Sequence, residues 1–299
     1  MPINIMATGI NYFQAVPGYF HHFEEPTGPG FRAETQENMG LIHRAYYTDA
    51  AFDPEGRKSQ WQRFIHHLEQ LNKYEAGRTQ YKLIFLIRHG QGHHNIKEAE
   101  VGRQVWDSYW SHLDGDSKSV WADSELSVKG VQQARYLNTF WGNAIANGMP
   151  APQRYYTSPL TRCLQTTLNA YSGLNVPADR PFKPIVKENI REQFGVHTSD
   201  RRGTRSHIAS NFPQFQIEPS LTEDDQLWLP HHRETNAEID DRVSKLLQDI
   251  FDNDVKSILS FTAHSGFLRS LYRVTHHPEV WVSAGAMVPV LIRGYQIPT

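Results

Sequence analysis

Residues 83–95, LIFLIRHGQGHHN, run an apolar stretch into an arginine, a histidine, two spaced glycines and a pair of histidines. A strand that ends this way delivers charged and nucleophilic side chains to one rim of a sheet. In open α/β sheets, ligands collect beyond the carboxyl ends of the strands. Four strand ends carry chemistry here. The first delivers Arg88 and His89, and the second, RYYTS, leads through TSPLTR to Arg162. The third, KPIVKENIRE, leads to Glu192, and the fourth, KSILSFTAH, delivers His264.

Two arginines converging beside helix N-termini form an anion site, because guanidinium matches phosphate geometry. A neutral imidazole can attack phosphorus and carry the phosphoryl group. A nearby carboxylic acid can protonate the departing oxygen and then activate water. Together these residue types permit a two-step transfer through phosphohistidine. Each has a plainer reading alone: Arg162 as a surface ion pair, His264 as a core histidine. Their joint placement at strand ends points to phosphoryl chemistry.

The elements that must position them follow from periodicity. KSQWQRFIHHLEQLN (58–72) spaces Trp61, Phe64, Ile65, Leu68 and Leu71 on one helical face, with a stop near Gly77. KLIFLI (82–87) is a strand. SVKGVQQARYLNTFWGNAI (127–145) is a helix with Ser127 as N-cap. In SPLTRCLQTTLNAY, Ser158 is the expected cap, Pro159 the first helical residue and Gly173 the stop. TNAE (235–238) is a capping box opening a helix to about residue 252, and strands at 256–264 and 288–297 flank the helix SGFLRSLYRV. Residues 1–60 read as loops and turns, 98–123 as an insertion with some helix, and 195–234 as a polar excursion. The alternation predicts an α/β fold, a mostly parallel central sheet with helices on both faces. We expect one domain over 1–299, an N-terminal extension (1–81) packed on a catalytic core (82–299).

Composition narrows the partners. A formal charge of −2 without a basic cluster argues against nucleic-acid and membrane surfaces. One cysteine, Cys163, precludes an internal disulfide, and no apolar run is long enough to span a bilayer. MPINIMATGINYFQ lacks the pattern of a signal peptide. A cytoplasmic protein is expected, and nothing in the sequence reads out an oligomeric state. Sixteen histidines, with doublets at 21–22, 66–67, 93–94, 231–232 and 276–277, raise a metal reading through His89, His93 and His94. There is no HExxH, no carboxylate lies within the cluster, and the intervening loop contains glycines. Cys163 lacks the glycine-rich loop of a cysteine phosphatase and reads as a buried helix residue.

RHG after an apolar strand, followed in order by TSPLTRCLQT and TAHSGFLRSL, resembles the histidine phosphatase superfamily, which includes the cofactor-dependent phosphoglycerate mutases. The resemblance spans roughly residues 82–295, and within the family the chain resembles a fungal and plant phosphomutase-like group. It implies that His89 accepts the phosphoryl group, that Arg88, Arg162 and His264 bind it, and that Asn95 contacts the same phosphate. It implies a structural role for ELSVKGVQQA (125–134). REQFG (191–195) resembles the mutases' acidic motif, so Glu192 is the expected proton donor, with Glu188 and Asp200 as competitors. Acid phosphatases of the family carry an aspartate after the second histidine, where this chain has Ser265. HTSDRR (197–202) resembles a stretch of the phosphomutase-like group, and Arg201 and Arg202 are expected to clamp substrate. Mutases carry Ser-Glu-Trp after RHGQ, where this chain has Gly92-His93-His94 and then a long insertion. The implied function is therefore a metal-independent, cofactor-free hydrolase of a small phosphomonoester, with a mutase as the alternative. A metal hydrolase and a non-catalytic phosphate-binding protein are more distant alternatives.

Overall fold

The computed structural model describes residues 12–28 and 30–296. The signal-peptide expectation falls mostly on residues 1–11, and the end of the strand expected to reach 297 is also outside the described residues. Seven strands form one sheet in the order β1-β7-β2-β6-β3-β4-β5. They are β1 (Tyr12–Ala15), β2 (Thr79–Arg88), β3 (Arg154–Thr157), β4 (Ile185–Val186), β5 (Gln216–Ile217), β6 (Ile258–Ala263) and β7 (Met287–Tyr295). The run β2-β6-β3-β4-β5 is parallel, and β7 is antiparallel to both its neighbours. The mostly parallel α/β sheet predicted from the alternation is what forms.

The helices are α1 (His21–Glu24), α2 (Asp49–Phe52), α3 (Gln60–Tyr74), α4 (His93–Val101), α5 (Arg103–Ser108), α6 (Val128–Ala146), α7 (Thr161–Tyr171), α8 (Arg205–Asn211), α9 (Asn236–Asn253) and α10 (Ser265–Val274). None among the described residues is long and apolar enough to cross a membrane. Ser59 and Gln62 form a capping box on α3, Ser127 caps α6 through the Gly130 N–H, and Thr235 with Glu238 boxes α9.

β2 shows why the apolar run has to be unbroken. Leu83, Ile84, Phe85, Leu86 and Ile87 are all fully buried. Ile84 and Leu86 face a core built with α9 and α10, while Leu83, Phe85 and Ile87 face one built with α3, α6 and α7. A central parallel strand covered on both faces alternates between two cores, so neither face tolerates a polar side chain. Trp141 of α6 meets the edge of Phe85 at 5.0 Å between ring centroids, and truncating such a buried aromatic costs about 3–5 kcal/mol.

Three expectations are corrected. Helix α7 begins at Thr161 with Leu160 at its cap position, because Ser158 is engaged elsewhere. The 195–234 excursion contains α8 and the edge strand β5, packed through Ile208, Phe212, Phe215 and Leu221. Within the first sixty residues, Tyr12–Ala15 is a strand paired with β7.

Candidate active site

The central pair β2 and β6 sets the site. Arg88 is in register with Ala263, so His89 and His264 leave adjacent strands side by side, and the His89 N–H donates to the Ala263 carbonyl at 3.0 Å. Their ring centroids are 5.0 Å apart. His89 Nδ1 lies 2.7 Å from the Gly90 carbonyl oxygen. A carbonyl only accepts, so Nδ1 carries the proton and Nε2 keeps its lone pair. Burial pushes the His89 pKa well below its ordinary value, and Arg162 and Arg88 push it further. The ring is therefore neutral at neutral pH, the form a nucleophile needs.

The loop holding His89 is clamped by α6. A side chain at Gly90 would meet the Gly130 carbonyl oxygen at 2.5 Å, and one at Gly130 would meet that of Gln91 at 2.2 Å. The Gln91 N–H donates to Gln133 Oε1 and the Ser127 N–H to the Gln91 carbonyl, both at 2.8 Å. The structural role expected of residues 125–134 thus has a physical content: α6 fixes the loop after the candidate nucleophile.

A cavity of about 220 Å³ opens beyond these strand ends. Of the predicted residues, Arg88, His89, Asn95, Arg162 and Glu192 line it. Arg88 donates from Nη1 to the Val282 carbonyl at 2.9 Å, and its buried Nε has no partner. Burial and then Arg32 lower the Arg88 pKa to about 10, which leaves it charged at neutral pH. Arg162, 1% exposed, donates to the Ser199 carbonyl and to Asp200 Oδ1 (2.8 Å), and its Nε is likewise unpartnered. Two guanidinium side chains lining one cavity match an oxyanion's acceptors. Asn95 Oδ1 accepts from the Gly92 N–H at 3.0 Å.

Glu192 is held at the start of α10. Its Oε2 accepts from the Gly266 N–H (3.0 Å) and Ser265 Oγ (3.3 Å), and its Oε1 accepts from the Gln193 N–H (2.9 Å). A side chain at Gly266 would meet Glu192 Oε1 at 1.9 Å, so the glycine makes room for the carboxylate. The competing donors are placed otherwise. Asp200 lines the cavity but is bound by both Arg162 and Arg233. Burial pushes its carboxyl up, but Arg233 and Arg162 outweigh that and hold it below its ordinary value. Glu188 lies outside the cavity, bound to Arg191 (2.8 Å) and Arg202 (3.1 Å).

His264 does not line the cavity. It is fully buried behind His89, with Nε2 2.8 Å from Ser158 Oγ and 3.3 Å from Cys163 Sγ. Burial, and after it Arg162 and His89, push its pKa far down. Its ring packs against that of His89. Ser158, read from sequence as a helix cap, is its hydrogen-bond partner.

Arg201 and Arg202 are not brought to the cavity. The Arg202 side chain is fully buried and saturated by Glu188, Thr222 and the carbonyls of Gly203, Glu223 and Asp224. Arg201 reaches Asp114 at 2.9 Å and lies over Trp228. Both arginines hold loops together.

Residues that the sequence does not assign to the phosphate site also line the cavity. His94 does, buried and 5.6 Å from His89 between ring centroids. Glu98, Arg103 and Trp106 come from the 98–123 insertion, and His197 and Arg233 from the 195–234 excursion. Arg32, Arg269 and Trp281 complete the rim. His93 lines a different pocket with Lys118 and His207, and among the described residues no three His, Cys, Asp or Glu side chains are grouped to hold a metal ion.

Comparison with known proteins agrees with the motif reading. Residues 84–281 match the model of the histidine phosphatase superfamily (branch 1). The chain is 44% identical over 281 residues to "Probable phosphoglycerate mutase" of Arthroderma benhamiae, covering 94% of this chain and 84% of that one. It is 31% identical over 299 residues to "Probable phosphoglycerate mutase PMU1" of Saccharomyces cerevisiae, covering 93% and 95%. It is 36% identical over 213 residues to "Phosphomutase-like protein 3" of Candida albicans, covering 71% and 65%. With its strand-end motifs and this extent of match, the chain belongs to the histidine phosphatase superfamily.

Proposed function

We propose that the protein is a phosphomonoester hydrolase working through a phosphohistidine at His89. The observation that carries this is the convergence on one cavity of a neutral His89, its Nδ1 fixed on the Gly90 carbonyl, and two arginines, Arg88 and Arg162. In the first step His89 Nε2 forms a bond to phosphorus as the phosphorus–oxygen bond to the alcohol breaks. Glu192 gives its proton to the leaving oxygen. Arg88, Arg162 and Asn95 stabilise the charge on the phosphoryl oxygens. In the second step water loses a proton to the Glu192 carboxylate and attacks phosphorus, the nitrogen–phosphorus bond breaks, and inorganic phosphate leaves. The reading treats the chain as one unit, supported by the pairing of β1 with β7.

The names of the fungal relatives favour a second reading. In it the phosphoryl group returns to another hydroxyl of the bound intermediate instead of passing to water. The two are separated by following phosphate release from a panel of phosphomonoesters in EDTA, with 3-phosphoglycerate and its bisphosphate included. Free phosphate, with a phosphoryl adduct on the peptide holding His89, is the expected result. Interconversion of phosphoglycerates without free phosphate makes the enzyme a mutase. Loss of all turnover in EDTA overturns both readings in favour of a metal.

A further inference from the structure

Thr27, Ala33 and Thr35 are laced onto the segment that carries Trp281. The Thr27 N–H donates to the Glu279 carbonyl at 3.2 Å, and the Trp281 N–H donates to Thr27 Oγ1 at 2.7 Å. The Ala33 N–H donates to the Trp281 carbonyl at 2.7 Å, and the Ser283 N–H returns a bond to the Ala33 carbonyl at 3.0 Å. The Met287 N–H donates to Thr35 Oγ1 at 2.9 Å. This lacing brings Arg32 to the rim of the cavity, with its guanidinium 5.3 Å from the Trp281 ring centroid.

The cations of the cavity are not equally free. Arg103 is bound to Asp107 (2.6 Å) and Glu98 (3.4 Å), and Arg269 to Glu279. Arg162 and Arg233 share Asp200. Arg32 forms no hydrogen bond or ion pair among the described residues. It also lies close enough to Arg88 for the two positive charges to oppose each other. A phosphoryl group held by Arg88 and Arg162 leaves the Arg32 charge unanswered. The stack on Trp281 holds the guanidinium in place at little further entropic cost, which suits it to a planar or forked anion.

We propose that Arg32, carried in by the N-terminal segment and stacked on Trp281, reads a second anionic group on the alcohol half of the substrate. The enzyme then selects phosphomonoesters bearing a further carboxylate or phosphate over those whose leaving alcohol is neutral. This rests on the phosphohistidine reading above.

The test compares kcat/KM, measured as substrate consumed, within two pairs. One is 3-phosphoglycerate against glycerol 3-phosphate, and the other is fructose 1,6-bisphosphate against fructose 6-phosphate. The wild type is expected to prefer the doubly anionic member of at least one pair by about tenfold or more, the size of one charge-assisted hydrogen bond. Arg32→Gln should reduce that preference to within about twofold, and Arg32→Lys should retain part of it. Preference in the first pair identifies a carboxylate and in the second a phosphate. No preference in the wild type, or one that survives Arg32→Gln, overturns the proposal. A His89→Ala control run beside these separates the two failures. Turnover that persists without His89, or none at all in the wild type, sinks the phosphohistidine reading. His89-dependent turnover without Arg32-dependent selectivity sinks only the role of Arg32.

Discussion

Arg162 and Arg202 are both buried arginines beside carboxylates, yet they have opposite placements. Arg162 spends Nη1 and Nη2 on Ser199 and Asp200, keeps its Nε unpartnered and lines the cavity. Arg202 spends its Nε on both oxygens of Glu188 and its remaining nitrogens on four carbonyls and one hydroxyl. Arg191 adds a control: its Nε is also unpartnered, but it lies outside the cavity. Residue type and burial therefore do not make an anion site. A free donor and a place for the anion must coincide.

The sharpest way to break the comparison is at the nucleophile. His89→Ala should lower turnover by at least about 10⁴-fold while the fold, followed by circular dichroism, stays intact. Residual activity within about tenfold of wild type would move the chemistry away from this strand end. Arg202→Ala should do the reverse. It takes away one of the two arginines on Glu188 and the donor to the carbonyls of Gly203, Glu223 and Asp224, so unfolding free energy should drop by about 3–5 kcal/mol in a denaturant titration. KM of the folded fraction should hold. A raised KM at unchanged stability would return Arg202 to the substrate site.

Glu192→Gln comes next in size. It keeps the shape at Gly266 but removes the exchangeable proton, so turnover should fall by about 10²-fold or more, with phosphoenzyme accumulating from an activated ester. The two competitors are poorly placed to take over, since Asp200 is clasped by two arginines and Glu188 lies off the cavity. Unchanged kinetics in the variant would nonetheless show that another group supplies the proton.

The two regions should also differ in their response to acid. Burial, then Arg162, pushes His94 and His264 far below the ordinary histidine value of 6.5, as burial and the same arginine push His89. Above that value the folded and unfolded chains both hold these rings neutral. As pH falls below it, the unfolded chain takes up protons that the folded chain refuses. Stability should then fall by up to about 1.4 kcal/mol per pH unit for each ring. Asp225 in the loop network does not contribute in this window: burial raises its carboxyl, but Arg191 outweighs burial and holds it down. Denaturant midpoints that stay flat from about pH 7 to about pH 5 would contradict the neutral, buried histidines.

What was legible in the sequence divides along the same line. Strand β2 announces itself because both its faces are buried, and His89 and Arg88 come with it. His264 follows from β6 by register, although its burial behind His89 does not. The partners of Arg202, Thr222, Glu223 and Asp224, lie some twenty residues away, across the turns around β5, so the motif around Arg202 does not disclose them. Arg32 and Trp281 meet because Thr27, Ala33 and Thr35 bond to residues 279–287, a pairing with no local signature. His94 stood inside the quoted motif, but a histidine doublet does not say which ring turns inward. The Ser158 hydroxyl reads as a helix cap because Ser-Pro is a common helix start, whereas its bond to His264 depends on β3 and β6 being neighbours.

Arg201 gives the smallest effect and the finest test. It sits next to Arg202 in the same motif, yet it is 39% exposed and pairs with Asp114, itself 62% exposed. An ion pair that open to water is worth about 0–1 kcal/mol, and its stacking over Trp228 adds little at an exposed site. Arg201→Ala should therefore shift the denaturation midpoint only slightly and leave KM within about twofold. Salt offers an independent check, since screening should erase whatever small stability difference remains. If KM instead rises by about tenfold or more, the loop closes over bound substrate and brings Arg201 to the phosphate. The separation between a free-donor site and a saturated loop would then hold only for the empty enzyme.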